Sequence, residues 1–234
     1  MSAHTVLVGM SAREVQARDR IGRLAHDHGA TVAFLQLGDP SLSRELTRVA
    51  DAGAREVTLL GVSLGTLAPA NSWLRRIAAH WWRERGPEAP GIEVATTLLD
   101  ELTAHAVAEA RSSTRTVTGR EAGLTSDAWE DVSSHRHQVL VCRGPRCSAL
   151  GSDRSAEALV LATMEHGLGD DDVLITHTGC QLPCNRAPVV SVQPDDVWYG
   201  GVGPGTARRI VAEHLVGGRV VETQRLPRSR GPLG

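Results

Sequence analysis

All four cysteines of this chain stand in its last two-fifths, as Cys142-x4-Cys147 and, after thirty-two intervening residues, Cys180-x3-Cys184. Each pair follows a short apolar run, Val139-Leu140-Val141 before the first and Val173-Leu174-Ile175-Thr176 before the second. Such runs suit buried strands. Two loops at the same end of neighbouring strands can therefore present four thiolates to one centre. Gly144-Pro145, Gly179, Pro183 and Pro188 crowd these loops. They hold fixed backbone shapes and can turn N–H groups toward sulfur.

What the cysteines do depends on the compartment. Met1-Ser2-Ala3-His4-Thr5-Val6-Leu7-Val8-Gly9 lacks the basic segment and long apolar stretch of a signal peptide. No run approaches ~18 apolar residues, so no membrane span is expected. In the cytoplasmic protein this implies, clustered cysteines are metal ligands or redox groups rather than disulfides. Structural zinc sites usually have tighter Cys-x2-Cys knuckles, although two to four intervening residues are permitted. A redox Cys-x2-Cys is absent, as is the plant-type ferredoxin run Cys-x4-Cys-x2-Cys. An all-cysteine iron–sulfur site and a zinc-held binding module both stay open on spacing alone.

Composition excludes other classes. The 234 residues suffice for one or two domains, and 41% hydrophobic with 22% charged residues is ordinary globular usage. Twenty-five basic against 27 acidic residues gives −2, and aromatics are 3%. A nucleic-acid partner would call for a basic excess or stacking surfaces, so none is expected.

The fold class is α/β throughout. Over 1–111, strands at 4–9, 31–37, 55–60 and 91–99 alternate with helices, which predicts a doubly wound parallel sheet. Ser11 caps the first helix, Pro40 opens the second, and 71–85 and 101–111 form the next two. Ligands of such sheets sit outside the carboxyl ends of the strands. Residues 112–137 are polar and read as a linker in which Trp129 docks locally. Residues 138–222 follow the order β-α-β-loop-β-β-α of a thioredoxin-like sandwich, and 223–234 read as a disordered tail.

The segments Val141-Cys142-Arg143-Gly144-Pro145-Arg146-Cys147 and Gly179-Cys180-Gln181-Leu182-Pro183-Cys184-Asn185-Arg186-Ala187-Pro188, with Trp198-Tyr199-Gly200-Gly201-Val202, carry a resemblance. Over about 138–218 the chain resembles the thioredoxin-like [2Fe–2S] ferredoxins, a family that includes the corresponding subunit of respiratory complex I. The resemblance implies one [2Fe–2S] cluster ligated by Cys142, Cys147, Cys180 and Cys184, passing one electron to a redox partner protein. Arg143, Arg146, Gly179 and Arg186 would surround the ligands. The plain reading of the arginines is solvated surface charge. The sharper one is that they offset the cluster's negative charge or meet an acidic partner.

Residues 5–110 resemble the small sirohydrochlorin chelatases, which insert cobalt, nickel or iron into a tetrapyrrole. The matching stretches are Val6–Arg13, Ala33–Leu42, Ala52–Val57 and the loop before Asn71. The framework matches, but the chemistry does not. Met10 stands where the family has a His, Gln36 where it has a Glu, and Asn71 is nearest the second His. Thioether and amide groups accept no proton near pH 7. The resemblance thus implies a degenerate pocket of Met10, Ser11, Arg13, Gln36 and Asn71. The plain reading is a scaffold that only holds the dimer or docks a partner, and the sharper one is that Ser11 and Arg13, beside a helix start, hold a tetrapyrrole or other small anion. Both families commonly form homodimers, so a homodimer is expected. One-electron transfer or redox sensing is the preferred function. An active chelatase of cobalamin or sirohaem synthesis with an accessory cluster is the alternative, and the zinc-stabilised module the third.

Other residues have plainer readings. His26 and His28 complement a helix C-terminus, and His135 and His137 are solvated linker residues. His177 stands near the second pair, but four cysteines already suffice. Trp81 and Trp82 cannot both face one core, so one of them is expected partly exposed or at a dimer contact.

Overall fold

The computed structural model describes residues 3–65, 68–127 and 130–228. It forms two compact units, Met1–Trp129 and Glu130–Gly234.

In the first unit the order is β1 (Ala3–Gly9), α1 (Ala12–Gln16), α2 (Arg18–Asp27), β2 (Thr31–Phe34), α3 (Leu42–Asp51), β3 (Glu56–Val62), α4 (Asn71–Arg85), β4 (Gly91–Ala95), α5 (Ala104–Ser112) and β5 (Thr114–Thr116). The sheet runs β2-β1-β3-β4-β5, parallel except for the antiparallel β5 edge. Alternation along β1 sends its side chains to two layers. Val6 and Val8 join Leu42, Leu46 and Leu74 on one side, and Leu7 joins Ile21, Leu24 and Val107 on the other. Both faces are therefore covered, as the doubly wound expectation requires.

The linker expectation fails over its first half. Val117 is buried and donates its N–H to Ile92 O at 2.8 Å. Arg75 Nη2 meets Glu121 Oε1 at 2.9 Å, and Arg83 Nη1 bonds Gly119 O at 3.1 Å. Gly119, at φ +76°, lets Trp82 approach so closely that a Cβ there would stand 2.8 Å from the indole. Residues 112–123 are thus part of the unit, held by polar clamps that leave no apolar periodicity. Trp82 packs under this segment, while Trp81 is buried and donates Nε1–H to Thr47 Oγ1 at 2.9 Å. Trp129 lies outside the described residues.

Boundaries shift for local reasons. β2 ends at Phe34 rather than at 37, because Phe34 N–H turns to Pro40 O at 2.9 Å. Ser41, not Pro40, caps α3, accepting from Arg44 N–H at 3.4 Å.

The second unit contains β6 (His137–Cys142), α6 (Pro145–Ala149), α7 (Ser152–Glu165), β7 (Val173–Thr178), β8 (Val190–Gln193), β9 (Val197–Tyr199) and α8 (Pro204–Arg209), whose helix continues with wider turns over Ile210–Val216. The sheet order is β7-β6-β8-β9, with β6 and β7 parallel and β8 and β9 antiparallel to their neighbours. One core joins Val139, Val141, Val190 and Val192 of the sheet to Leu159, Ile210 and Val211 of the helices.

The start of the supposed disordered tail is built into this unit. Gly200 N–H donates to Gln224 O at 3.0 Å and Leu226 N–H to Trp198 O at 2.7 Å. An edge strand offers unpaired backbone groups, and this segment satisfies those of β9. Residues 229–234 lie outside the described residues.

His137 is not a solvated linker residue either. Its Nε2 lies 3.3 Å from Asp195 Oδ2, which is also 3.0 Å from His214 Nε2. His214 is 3% exposed and shares a 2.8 Å hydrogen bond between Nδ1 and Tyr199 OH. Burial lowers the pKa of His214, against the opposing pull of Asp195.

Two outcomes are expected. Val117→Asp, which buries an unpaired carboxylate under the supposed linker, should destabilise the first unit by about 3 kcal/mol, read from urea unfolding of the full chain. With the folded pKa of His214 lowered, the unfolded state binds more protons below its ordinary value. Stability of the second unit should then be full above about pH 6.5 and fall as pH drops below it. His214→Gln should flatten that slope below about pH 6.5 in pH-dependent unfolding curves.

Candidate metal centre

Because β6 and β7 run parallel, their carboxyl ends share an edge, with Cys142 opposite Thr178. Cys142 closes β6. The chain then turns through Gly144 and enters α6, with Pro145 in its first turn, which places Cys147 on a buried face. The second pair follows β7: Cys180 is exposed and Cys184 half-buried, whereas Cys142 and Cys147 are buried. A Cβ on Gly144 would sit 2.9 Å from both Cα and Cβ of Cys180. The two loops thus pack backbone against side chain, with no room for any other residue at 144.

The sulfurs form one neighbourhood. Cys180 Sγ and Cys184 Sγ are 3.3 Å apart, and Gln181 N–H donates to Cys142 Sγ at 3.4 Å. Burial pushes the Cys147 thiol up to about 11, with Cys142 and Cys184 adding to the rise. Cys180 is lowered by the backbone N–H of Leu182, then by the Cys184 thiol. Cys184 is raised chiefly by its bond with Cys180. Each of these three thiols is thus influenced by at least one other member of the set. The donors that the two loops carry are four thiols, a soft all-sulfur set of the kind that holds zinc or an iron–sulfur cluster.

The expected neighbours separate. Arg146 is exposed, and its Nη1 donates to Asn185 Oδ1 at 2.8 Å, a link between the loops. Arg143 is half-buried, which lowers its pKa, and its buried Nε has no hydrogen-bond partner. Arg186 is exposed, and its carbonyl accepts from Gly201 N–H at 2.8 Å. Gly179 has open space where a Cβ would stand, so no close approach at this position demands glycine. His177 lies within β7, opposite Val141.

Sequence reasoning missed α6, Asn185 and Gln181. Glycine then proline at a helix start was the available signal for α6. Gln181 had none: its side chain joins β6, β7 and β8 through contacts that only the folded sheet creates.

The residues singled out in the first unit do lie at the carboxyl edge of its sheet. Gln36 is exposed and donates Nε2–H to Met10 O at 3.3 Å, and Asn71 donates Nδ2–H to Ala95 O at 2.8 Å. Met10, however, is 0% exposed and belongs to the core. An unbranched thioether packs well in such a core. Ser11 is the cap of α1, accepting from Arg13 N–H at 3.2 Å. Glu14, overlooked in the sequence, is fully buried. It accepts from Ser11 N–H, Ser11 Oγ–H and Leu64 N–H, each at 2.7 Å. The Arg13 side chain lies along Gly65, where a Cβ would stand 2.9 Å from its Cδ.

No protein-family model matches the chain. Individual proteins do, and they match its C-terminal part. A Priestia megaterium protein, itself named only as a candidate 2Fe-2S ferredoxin, is 35% identical over 88 residues, 38% of this chain and 68% of that one. A 2Fe-2S ferredoxin of Clostridium pasteurianum is 30% identical over 95 residues, 37% of this chain and 92% of that protein. The solved thioredoxin-like [2Fe–2S] ferredoxin from Aquifex aeolicus is 34% identical, covering 39% of this chain and 97% of that one, with a TM-score of 0.37. The chain belongs, through its second unit, to the [2Fe–2S] ferredoxin family. SirB from Bacillus subtilis, solved with Fe3+, is 15% identical, covering 78% of this chain and 68% of that one, with a TM-score of 0.36. A likeness of that size carries no argument about chemistry.

Gly144→Ala tests the geometry. Iron loading on anaerobic reconstitution should weaken about tenfold or more, while the far-ultraviolet circular dichroism of the metal-free chain stays that of the wild type.

Proposed function

We propose that the second unit holds one [2Fe–2S] cluster through Cys142, Cys147, Cys180 and Cys184 and serves one-electron transfer or redox sensing. The observation that supports this reading is the packing of Gly144 on Cys180, which sets the two cysteine-bearing loops against each other in a chain of ferredoxin kinship. When bound, the cluster supplies a centre that takes up and releases a single electron. The buried Cys142 and Cys147 keep one side dry, and the exposed Cys180 turns the other toward a partner. Residues 142–152 and 178–194 contain Arg143, Arg146 and Arg186 and no Asp or Glu. These cations lower the electrostatic cost of added negative charge, and they suit a redox partner with an acidic face.

The first unit, in this reading, binds a partner or a tetrapyrrole-like anion and inserts no metal. Chelation needs a group that accepts pyrrole protons. Met10 is buried, Gln36 and Asn71 are amides, and the carboxyl group of Glu14 is occupied by three donors.

Reductive titration of the anaerobically reconstituted chain should consume one electron per chain, and Cys147→Ser should abolish that uptake. With sirohydrochlorin and Co2+ the protein should show no insertion above background. A colourless protein with stoichiometric zinc would replace this reading with the zinc-held module, and rapid cobalt insertion would restore the chelatase alternative.

A further inference from the structure

We infer that Gln181 is the positioning residue that sets both the spacing of the two cysteine loops and the reduction potential of the centre. The inference rests on the cluster reading above and extends it to a residue that is not a ligand. Its side chain donates Nε2–H to Leu140 O of β6 at 3.1 Å and to Thr178 Oγ1 of β7 at 2.7 Å. Its Oε1 accepts from Ser191 Oγ–H of β8 at 3.2 Å. One amide therefore spans three adjacent strands at the level of the cysteines. The same residue's backbone N–H donates to Cys142 Sγ at 3.4 Å. Gln181 sits between Cys180 and Leu182, and Leu182 is held at φ +51°. The side-chain anchor thus fixes where the Cys180–Cys184 loop leaves the sheet, and with it how closely the N–H approaches Cys142.

An N–H directed at a ligand sulfur stabilises added negative charge and so favours the reduced state. If the anchor is cut, the loop relaxes, the N–H···S contact lengthens, and reduction becomes harder. Ser191 is fully buried, so loss of Gln181 also leaves its hydroxyl unpartnered and destabilises the anchored arrangement.

The test uses the full-length reconstituted chain as wild type, Gln181→Leu and Ser191→Ala, with Ser155→Ala as a control. Ser155 bonds Gly151 O and Val202 O and is not part of the cysteine loops. Gln181→Leu is expected to lose its cluster about tenfold faster on exposure to a chelator. Its preference for the reduced state should weaken about tenfold, a negative shift of about 59 mV for one electron. Ser191→Ala should shift in the same direction by less, and Ser155→Ala, even if less stable, should keep the wild-type potential. A wild-type potential and cluster lifetime in Gln181→Leu would overturn the inference. If Gln181→Leu takes up no cluster, Ser191→Ala decides, and an unshifted potential there overturns it. Failure of the wild type to take up iron and sulfide would instead sink the cluster reading itself.

Discussion

The contact between Gly144 and Cys180 is the constraint on which the second unit's chemistry depends. Parallel pairing of β6 and β7 brings two chain ends to one edge, but strand spacing alone does not bring their loops into contact. The missing side chain at 144 allows Cys180 to pack directly on the first loop. The Arg146–Asn185 bond then ties the loops on the solvent side. Burial separates the four: Cys142 and Cys147 are buried, Cys184 is half-buried and Cys180 is exposed.

Both units place their distinctive residues at the carboxyl edge of parallel strands, yet they use that edge differently. In the second unit the edge side chains are thiols that remain available to one another. In the first, several of the polar groups bond to the fold itself, although Asn71 Oδ1 is buried without a partner. Glu14 stitches the start of α1 to the loop after β3, and Asn71 and Gln36 satisfy backbone carbonyls. Fold alone does not fix activity.

Much of this was legible in the sequence. Apolar runs located β1, β3, β6 and β7, helical spacing located α4 and α7, and the paired cysteines marked the site. What was hidden lay in polar contacts between segments distant in the chain. Residues 114–121 look like linker because Val117 is the one buried residue among them, while Thr114–Thr116 pair with β4 through backbone atoms and Gly119 and Glu121 are held by Arg83 and Arg75 reaching across from α4. Residues 224–226 look like tail because they pair through backbone atoms, which no side-chain pattern reports. His137 reads as solvated until β6 and the turn at Asp195 set it beside His214. Met10 occupies a position that suggests a pocket, but its apolar side chain belongs to the interior.

The most direct test is the iron and acid-labile sulfide content of the anaerobically purified chain, taken together with its Mössbauer spectrum. Two irons and two sulfides per chain in a spin-coupled pair, lost when Cys142 or Cys180 is replaced by serine, are the expected result. Neither iron nor sulfide after anaerobic reconstitution, in a chain that is otherwise folded, would contradict the assignment of the four cysteines.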